Sequence, residues 1–153
     1  EKLGLPKIVS IQNAFSLVNR VFNINLAEAC RFNNVGLMAY SPLAFGILTG
    51  KYLHGIPENS RLSLFPGFEQ RYRKTNLTEA IKSYVEIAHK NNMTPAQLAL
   101  VYVRSRWFVA STIIGATTME QLKENISSVE INLTEEIIAE IDEIHAKYPN
   151  PTP

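Results

Sequence analysis

Met38-Ala39-Tyr40-Ser41-Pro42-Leu43-Ala44-Phe45-Gly46-Ile47-Leu48-Thr49-Gly50-Lys51-Tyr52 is the stretch around which the chain is organised. It opens as an apolar strand running from Val35 to Ala39. It then presents an aromatic ring, a hydroxyl, a proline turn, two glycines and a lysine. A strand that runs into a polar loop marked by Gly and Pro is how an α/β protein displays a binding site. The stretch therefore predicts an α/β fold with a site at the carboxyl end of this strand.

On the N-terminal side, Ile8, Val9 and Ile11 predict a short strand over Lys7 to Gln12, whose polar end is Gln12-Asn13. Asn25 is placed to cap a helix from about Leu26 to Phe32, with Leu26, Ala29, Cys30 and Phe32 on its apolar side. Asn33-Asn34 ends it, and Val35 opens the central strand. Strand, helix and strand with short joints predict a parallel, right-handed βαβ unit.

On the C-terminal side the pattern breaks between Leu53 and Lys74. His54-Gly55-Ile56-Pro57 and Pro66-Gly67 are turn signals, and Arg61, Arg71, Arg73 and Lys74 make the stretch basic. A loop of this length is functional or a solvated insertion. Thr78 is read as the cap of a helix carrying Ile81, Tyr84, Val85 and Ala88, stopped by Asn91-Asn92. Thr94-Pro95-Ala96-Gln97 is a capping box with proline at the first helical position. Trp107 and Phe108 are expected beneath the end of that helix, and Val109 to Ile114 as a buried strand. After the Gly115-Ala116-Thr117 turn, Thr118 caps a further helix with Gln121 as its partner. Thr134 starts the last helix, with Ile137, Ile138, Ile141 and Ile144 as its buried stripe. The tail, Pro149 to Pro153, is expected to leave the fold. Three parallel strands and about five helices cannot close a barrel, so the chain is an open sheet or a fraction of a closed one.

The 153 residues and net charge of +1 suit one compact domain or part of a larger one, with no general pull toward nucleic acid or acidic membranes. The single cysteine, Cys30, excludes an intrachain disulfide and reads as a buried thiol, in keeping with a reducing, cytoplasmic setting. Nothing resembles a signal peptide, and no apolar run approaches the roughly 20 residues that span a bilayer. A start at Glu1 rather than Met hints at a piece of a longer protein, with a processed terminus as the alternative.

Several pattern matches carry no weight. Gly46 to Lys51 has three residues between its glycines where a phosphate loop has four, and Tyr52 where Ser or Thr is needed. His54, His89 and His145 are scattered and form no metal-ligand cluster. Two loops remain. One offers the Tyr40 ring, the Ser41 hydroxyl, the backbone of Pro42, Leu43, Ala44 and Phe45, and Lys51. The other offers Gly115 and Thr117 at a helix N-terminus, which suits phosphate. Gln121, Glu124 and Asn125 fall on one face of that helix and offer groups for an adenine edge. Together they have the layout of a dinucleotide site; a core aromatic at Tyr40 and simple capping at Gln121 are the alternatives.

The stretches Tyr40 to Tyr52 and Ile114 to Ile126, preceded by Ser10-Ile11-Gln12-Asn13, resemble the aldo-keto reductases. The resemblance is to the Tas-like branch and, more distantly, to the potassium-channel beta subunits. It implies a (β/α)8 TIM barrel that uses NADP(H) to reduce a small carbonyl substrate, of which residues 1–153 are the C-terminal part, with strands six to eight. By position, it implies that Gln12 binds the nicotinamide carboxamide and that Tyr40 stacks on the nicotinamide ring. Ser41 to Phe45 would follow the pyrophosphate, and Lys51 and Arg61 would supply positive charge to phosphates. Gly115, Thr117 and Gln121 would form the adenosine-phosphate pocket, and Glu124 and Asn125 the adenine contacts. The family's reacting Asp, Tyr, Lys and His lie in its N-terminal half, so no catalytic residue is assigned here and the chain alone is expected to be inactive. The partner this implies is the missing N-terminal part of the barrel. A noncatalytic nucleotide-binding or regulatory subunit, or a truncated inactive remnant, is the alternative.

Overall fold

The computed structural model describes residues 4–67, 70, 72 and 74–152. Three strands form one parallel sheet in sequence order: β1 (Ser10–Ala14), β2 (Gly36–Tyr40) and β3 (Val109–Thr112). The helices are α1 (Leu26–Asn33), α2 (Arg61–Leu64), α3 (Thr75–Lys90), α4 (Pro95–Arg104), α5 (Met119–Ser127) and α6 (Glu135–Lys147). A 3-10 stretch spans Ala44–Thr49. α1 makes the crossover from β1 to β2; α2, α3 and α4 lie between β2 and β3.

Register fixes which side chains share a face. Ile11, Leu37 and Val109 point toward the helices, and Leu37 and Ala39 are fully buried there. Gln12, Met38 and Ser111 line up on the opposite face, which is open to solvent. The core is thus one-sided, built between the sheet and the helices. Phe15, Phe22, Phe108 and Tyr102 fill its middle, with Phe15 edge-on to Phe108 at 5.0 Å. α4 is apolar nearly all round, from Leu98 to Val103, because it is packed against α3, α5 and β3.

The local signals at helix starts are largely realised. Thr94 and Gln97 form the reciprocal capping box, with Pro95 in the first turn. Thr118 and Thr134 cap α5 and α6 through their hydroxyls. Asn25 stands at the start of α1 but makes no side-chain cap bond.

Several expectations change. The buried side of α1 is Ala27 and Cys30, the residues turned toward the sheet and core, whereas Leu26, Ala29 and Phe32, expected on its apolar side, are exposed. β1 begins at Ser10 rather than Lys7 and runs on to Ala14, because Ser10 is the first residue registered against β2. α3 starts at Thr75 after Lys74, so Thr78 lies inside the helix rather than capping it. The stretch from Leu53 to Lys74 contains the short helix α2, capped by the Ser60 side chain; Arg71 and Arg73 lie outside the described residues. β3 ends at Thr112 and is half-open, because no fourth strand covers its far side among the described residues; beside it Phe108 is buried but Trp107 is exposed.

Finally, the tail does not leave the fold. Thr152 is buried, its N–H and hydroxyl both donate to the Val18 carbonyl, and Asn150 accepts the Arg20 N–H at 2.7 Å. Pro153 lies outside the described residues.

Candidate functional site

All three strands present their carboxyl ends at one edge of the sheet, since Ala14 pairs with Tyr40 and Ala39 with Thr112. The Ile113 N–H donates to the Ala39 carbonyl at 2.8 Å. The loops starting at Ser41 and at Ile113 therefore leave neighbouring strands at the same end. That edge is where parallel α/β sheets bind ligands. Alternation brings Tyr40 onto the open face, about 38% exposed. Gln12 is on the same face one strand over, diagonal to Tyr40 in the register. The ring is neither buried in the core nor stacked within the helices, which sets aside a purely structural role in the core.

The loop after β2 is bent by a run of left-handed residues: Ser41 (φ 56°), Ala44 (46°), Phe45 (61°) and Gly46 (88°). Three of these carry side chains, and such conformations cost about 1–3 kcal/mol each outside glycine. Ala44, Ile47 and Leu48 are buried and hold the bend. Bonds from Ala44 N–H to Ser41, from Gly46 N–H to Leu43, and from the Thr49 hydroxyl to Gly46 close it. Strained backbone of this kind gathers at ligand clamps.

Both cations singled out from the resemblance fold onto this bend. A Cβ placed on Gly46 would lie 3.3 Å from Cε and 3.4 Å from Nζ of Lys51, so the lysine lies along the glycine face. Its ammonium sits 5.0 Å from the Tyr52 ring centroid. The Arg61 guanidinium lies 5.0 Å over the Phe45 ring, which in turn packs 5.7 Å from Tyr72. α2 thus delivers Arg61 to the turn that carries Phe45.

A crevice runs between the loops after β1 and β2. Tyr40, Ser41 and Ala44 line one side; Ser16, Asn19 and Thr152 are among the residues on the other. Ser16, Asn19 and Thr152 were not foreseen. A polar pair inside the apolar run Phe15-Ser16-Leu17-Val18-Asn19, directly after a strand, was the signal available for the first two.

The second loop forms its own network. Gln121 Oε1 accepts from the Thr117 N–H at 2.9 Å and from its hydroxyl at 3.1 Å. Gln121 N–H donates to Thr118 Oγ1, so Gln121 reaches Thr117 rather than completing a box with Thr118. Asn125 is buried, its amide 3.5 Å from the Gly115 carbonyl, a weak contact; Glu124 is half-buried beside it. Gln12, Gly115, Thr117, Gln121, Glu124 and Asn125 do not line the crevice. At the head of α5, its own backbone N–H and then the Thr118 hydroxyl hold the Glu120 carboxyl below the usual range. This helix start is already faced by a carboxylate of the chain itself.

Among the described residues no group of three His, Cys, Asp or Glu could hold a metal, and no helix is long and apolar enough to cross a membrane. The Tyr40 ring, the left-handed bend and the cations Lys51 and Arg61 thus meet at the carboxyl edge of the parallel sheet.

Residues 1–146 match the model of the aldo/keto reductase family. The chain belongs to that family of oxidoreductases. It is 49% identical to "Protein tas" of Escherichia coli (strain K12), over all of this chain and 44% of the relative. It is 43% identical to a putative voltage-gated potassium channel subunit beta of Schizosaccharomyces pombe, over 94% of this chain and 44% of that protein. It is 36% identical to an L-glyceraldehyde 3-phosphate reductase of Escherichia coli O157:H7, over 86% and 40%. The chain spans less than half the length of these relatives.

Proposed function

We propose that this chain is the cofactor-binding, C-terminal part of an NADP(H)-dependent aldo/keto reductase, contributing strands six to eight of a (β/α)8 barrel. The observation that carries this reading is the pairing of Tyr40 and Gln12 on one open sheet face with the strained Ser41–Gly46 bend at its edge. The residues fit the group: an exposed ring for nicotinamide, an amide beside it, a bent backbone for pyrophosphate, and two cations on that bend. When bound, the nicotinamide supplies a hydride for a carbonyl carbon. Tyr40 orients the ring by offset stacking, which fixes the face presented to substrate. Gln12 holds the carboxamide. Lys51 and Arg61 turn from aromatic faces to phosphate, an exchange of a cation–π contact for a charge-assisted bond. Gly115, Thr117 and Gln121 take the adenosine phosphate, and Glu124 and Asn125 the adenine. Preference for NADP over NAD rests on Lys51, Arg61 and the resemblance to the Tas-like branch.

Hydride addition also needs an acid for the carbonyl oxygen. In this reading the acid, with its Asp, Lys and His partners, comes from the N-terminal part of the barrel, which is the chain's first partner. The substrate is a small aldehyde or ketone, and the setting is cytoplasmic. Joining the upstream sequence and following NADPH oxidation with small aldehydes tests the enzyme reading; a complete barrel without turnover overturns it. Titrating the present chain with NADPH and NADH tests the cofactor reading. Tyr40→Ala should weaken NADPH binding about three- to tenfold, the worth of one aromatic stack.

A second reading, a noncatalytic regulatory subunit, is supported by the 43% identity to a putative channel beta subunit. A complete barrel that binds NADPH, turns nothing over and is captured with a stable protein partner would favour it.

A further inference from the structure

We propose that Asn150–Thr152 is a strap that positions the wall of the Tyr40 crevice. The loop after β1, Phe15 to Arg20, is buried at six consecutive residues, including Ser16, Asn19 and Arg20. A buried loop must find partners for its backbone polar groups. Within the loop, Ser16 and Asn19 exchange a pair of backbone bonds and the Ser16 hydroxyl accepts from the Val18 N–H, while the Tyr84 hydroxyl of α3 donates to the Leu17 carbonyl. Two further groups are satisfied by the tail: the Val18 carbonyl by the Thr152 N–H at 3.2 Å and hydroxyl at 3.3 Å, and the Arg20 N–H by Asn150 Oδ1 at 2.7 Å. Asn150 turns the chain back onto the loop through a left-handed conformation, φ 43°. α6 fixes the other side, where Asp142 Oδ1 and the Ile141 carbonyl accept from the Arg20 guanidinium.

The loop is coupled to the site at its other end. The Phe15 N–H donates to the Tyr40 carbonyl at 3.3 Å, and Thr152 lines the same crevice as Tyr40 and Ser41. The strap therefore sets the loop, and the loop sets the edge of β2 from which Tyr40 projects. Asn150 and Thr152 are positioning residues: they act through Val18, Arg20 and Phe15. The geometry of the strap stands alone; its consequence for cofactor binding rests on the cofactor reading above.

Amide hydrogen exchange separates the two. In a chain ending at Pro149, the Phe15, Ser16, Asn19 and Arg20 amides should lose about tenfold or more of their protection, while α4 amides keep theirs. Unchanged protection of these four overturns the strap. Should the shortened chain fail to fold, Asn150→Ala and Thr152→Val in the whole chain decide the question. Loss spreading from Arg20 to Phe15, Ser16 and Asn19 supports the strap, and loss at Arg20 alone overturns it, because that is merely the missing bond. NADPH titration of the same variants reads the consequence: about tenfold weaker binding in the shortened chain than in the intact one. If the intact chain binds no NADPH, the cofactor reading fails, while the exchange result still decides the strap.

Discussion

Gly36 has no room for a side chain. A Cβ there would stand 2.6 Å from the Cβ of Ala110, at the irregular step in the β2–β3 register. Gly36→Ala should destabilise the chain by about 1–3 kcal/mol, the usual cost of overfilling a packed contact. Urea unfolding reads the loss, and adding Ala110→Gly should restore most of it; absence of rescue would place the cause elsewhere. Tyr84 is a second residue whose surroundings set a measurable property. Burial pushes its hydroxyl up to about 12, against the lowering effect of the nearby Arg20 charge. The hydroxyl donates to the Leu17 carbonyl at 3.2 Å, a bond only the neutral form makes. The folded value lies above the ordinary value of 10.0, so this stability is whole below pH 10 and falls as pH rises toward 12. The loss across that window is about 2 kcal/mol. Tyr84→Phe should flatten the alkaline part of a stability profile, and an unchanged slope would refute the assignment.

Elements whose signals are local were legible in the sequence. The Thr94–Gln97 box is four residues long and carries its own geometry, so it could be read directly. Thr94→Ala should cost about 1 kcal/mol by loss of the cap, seen as a lowered thermal midpoint. Thr78 misled because any Thr before an apolar period looks like a cap, whereas α3 has already begun at Thr75. The exposure of β3 was not legible, since an apolar strand reads the same whether or not a neighbour covers it. The site divides in the same way. The sequence left Tyr40 open between a site residue and a core aromatic, and the alternation along β2 that takes it out of the core is seen in the structure. Nothing in the letters marks Ser41, Ala44 and Phe45 as left-handed, because that bend is imposed by the burial of Ala44, Ile47 and Leu48. The tail was misread for the plainest reason: the partners of Asn150 and Thr152 are 130 and 134 positions away.

At the scale of the molecule, the sheet is finished on one face only. β1 and β3 each pair along a single edge among the described residues, and Gln12, Met38 and Ser111 stand on an uncovered face. Ahead of β1, Leu5, Ile8 and Val9 are each about 70% exposed, and the Val9 carbonyl already accepts the Gly36 N–H. Apolar side chains beside an unpaired strand edge invite pairing with another chain. On the proposed reading the rest of a barrel covers this edge; in the isolated chain another copy is the available cover. The isolated chain should therefore associate as its concentration rises, read by light scattering. Burying one isoleucine is worth about 1.5–3 kcal/mol, so Ile8→Lys should weaken that association at least about tenfold. Joining the upstream half of the barrel should abolish it without any substitution, because the same edge is then occupied within one molecule. A chain that stays monodisperse at every concentration would mean that residues 4–152 satisfy their own surface, and the case for a missing partner along β1 would fall with it.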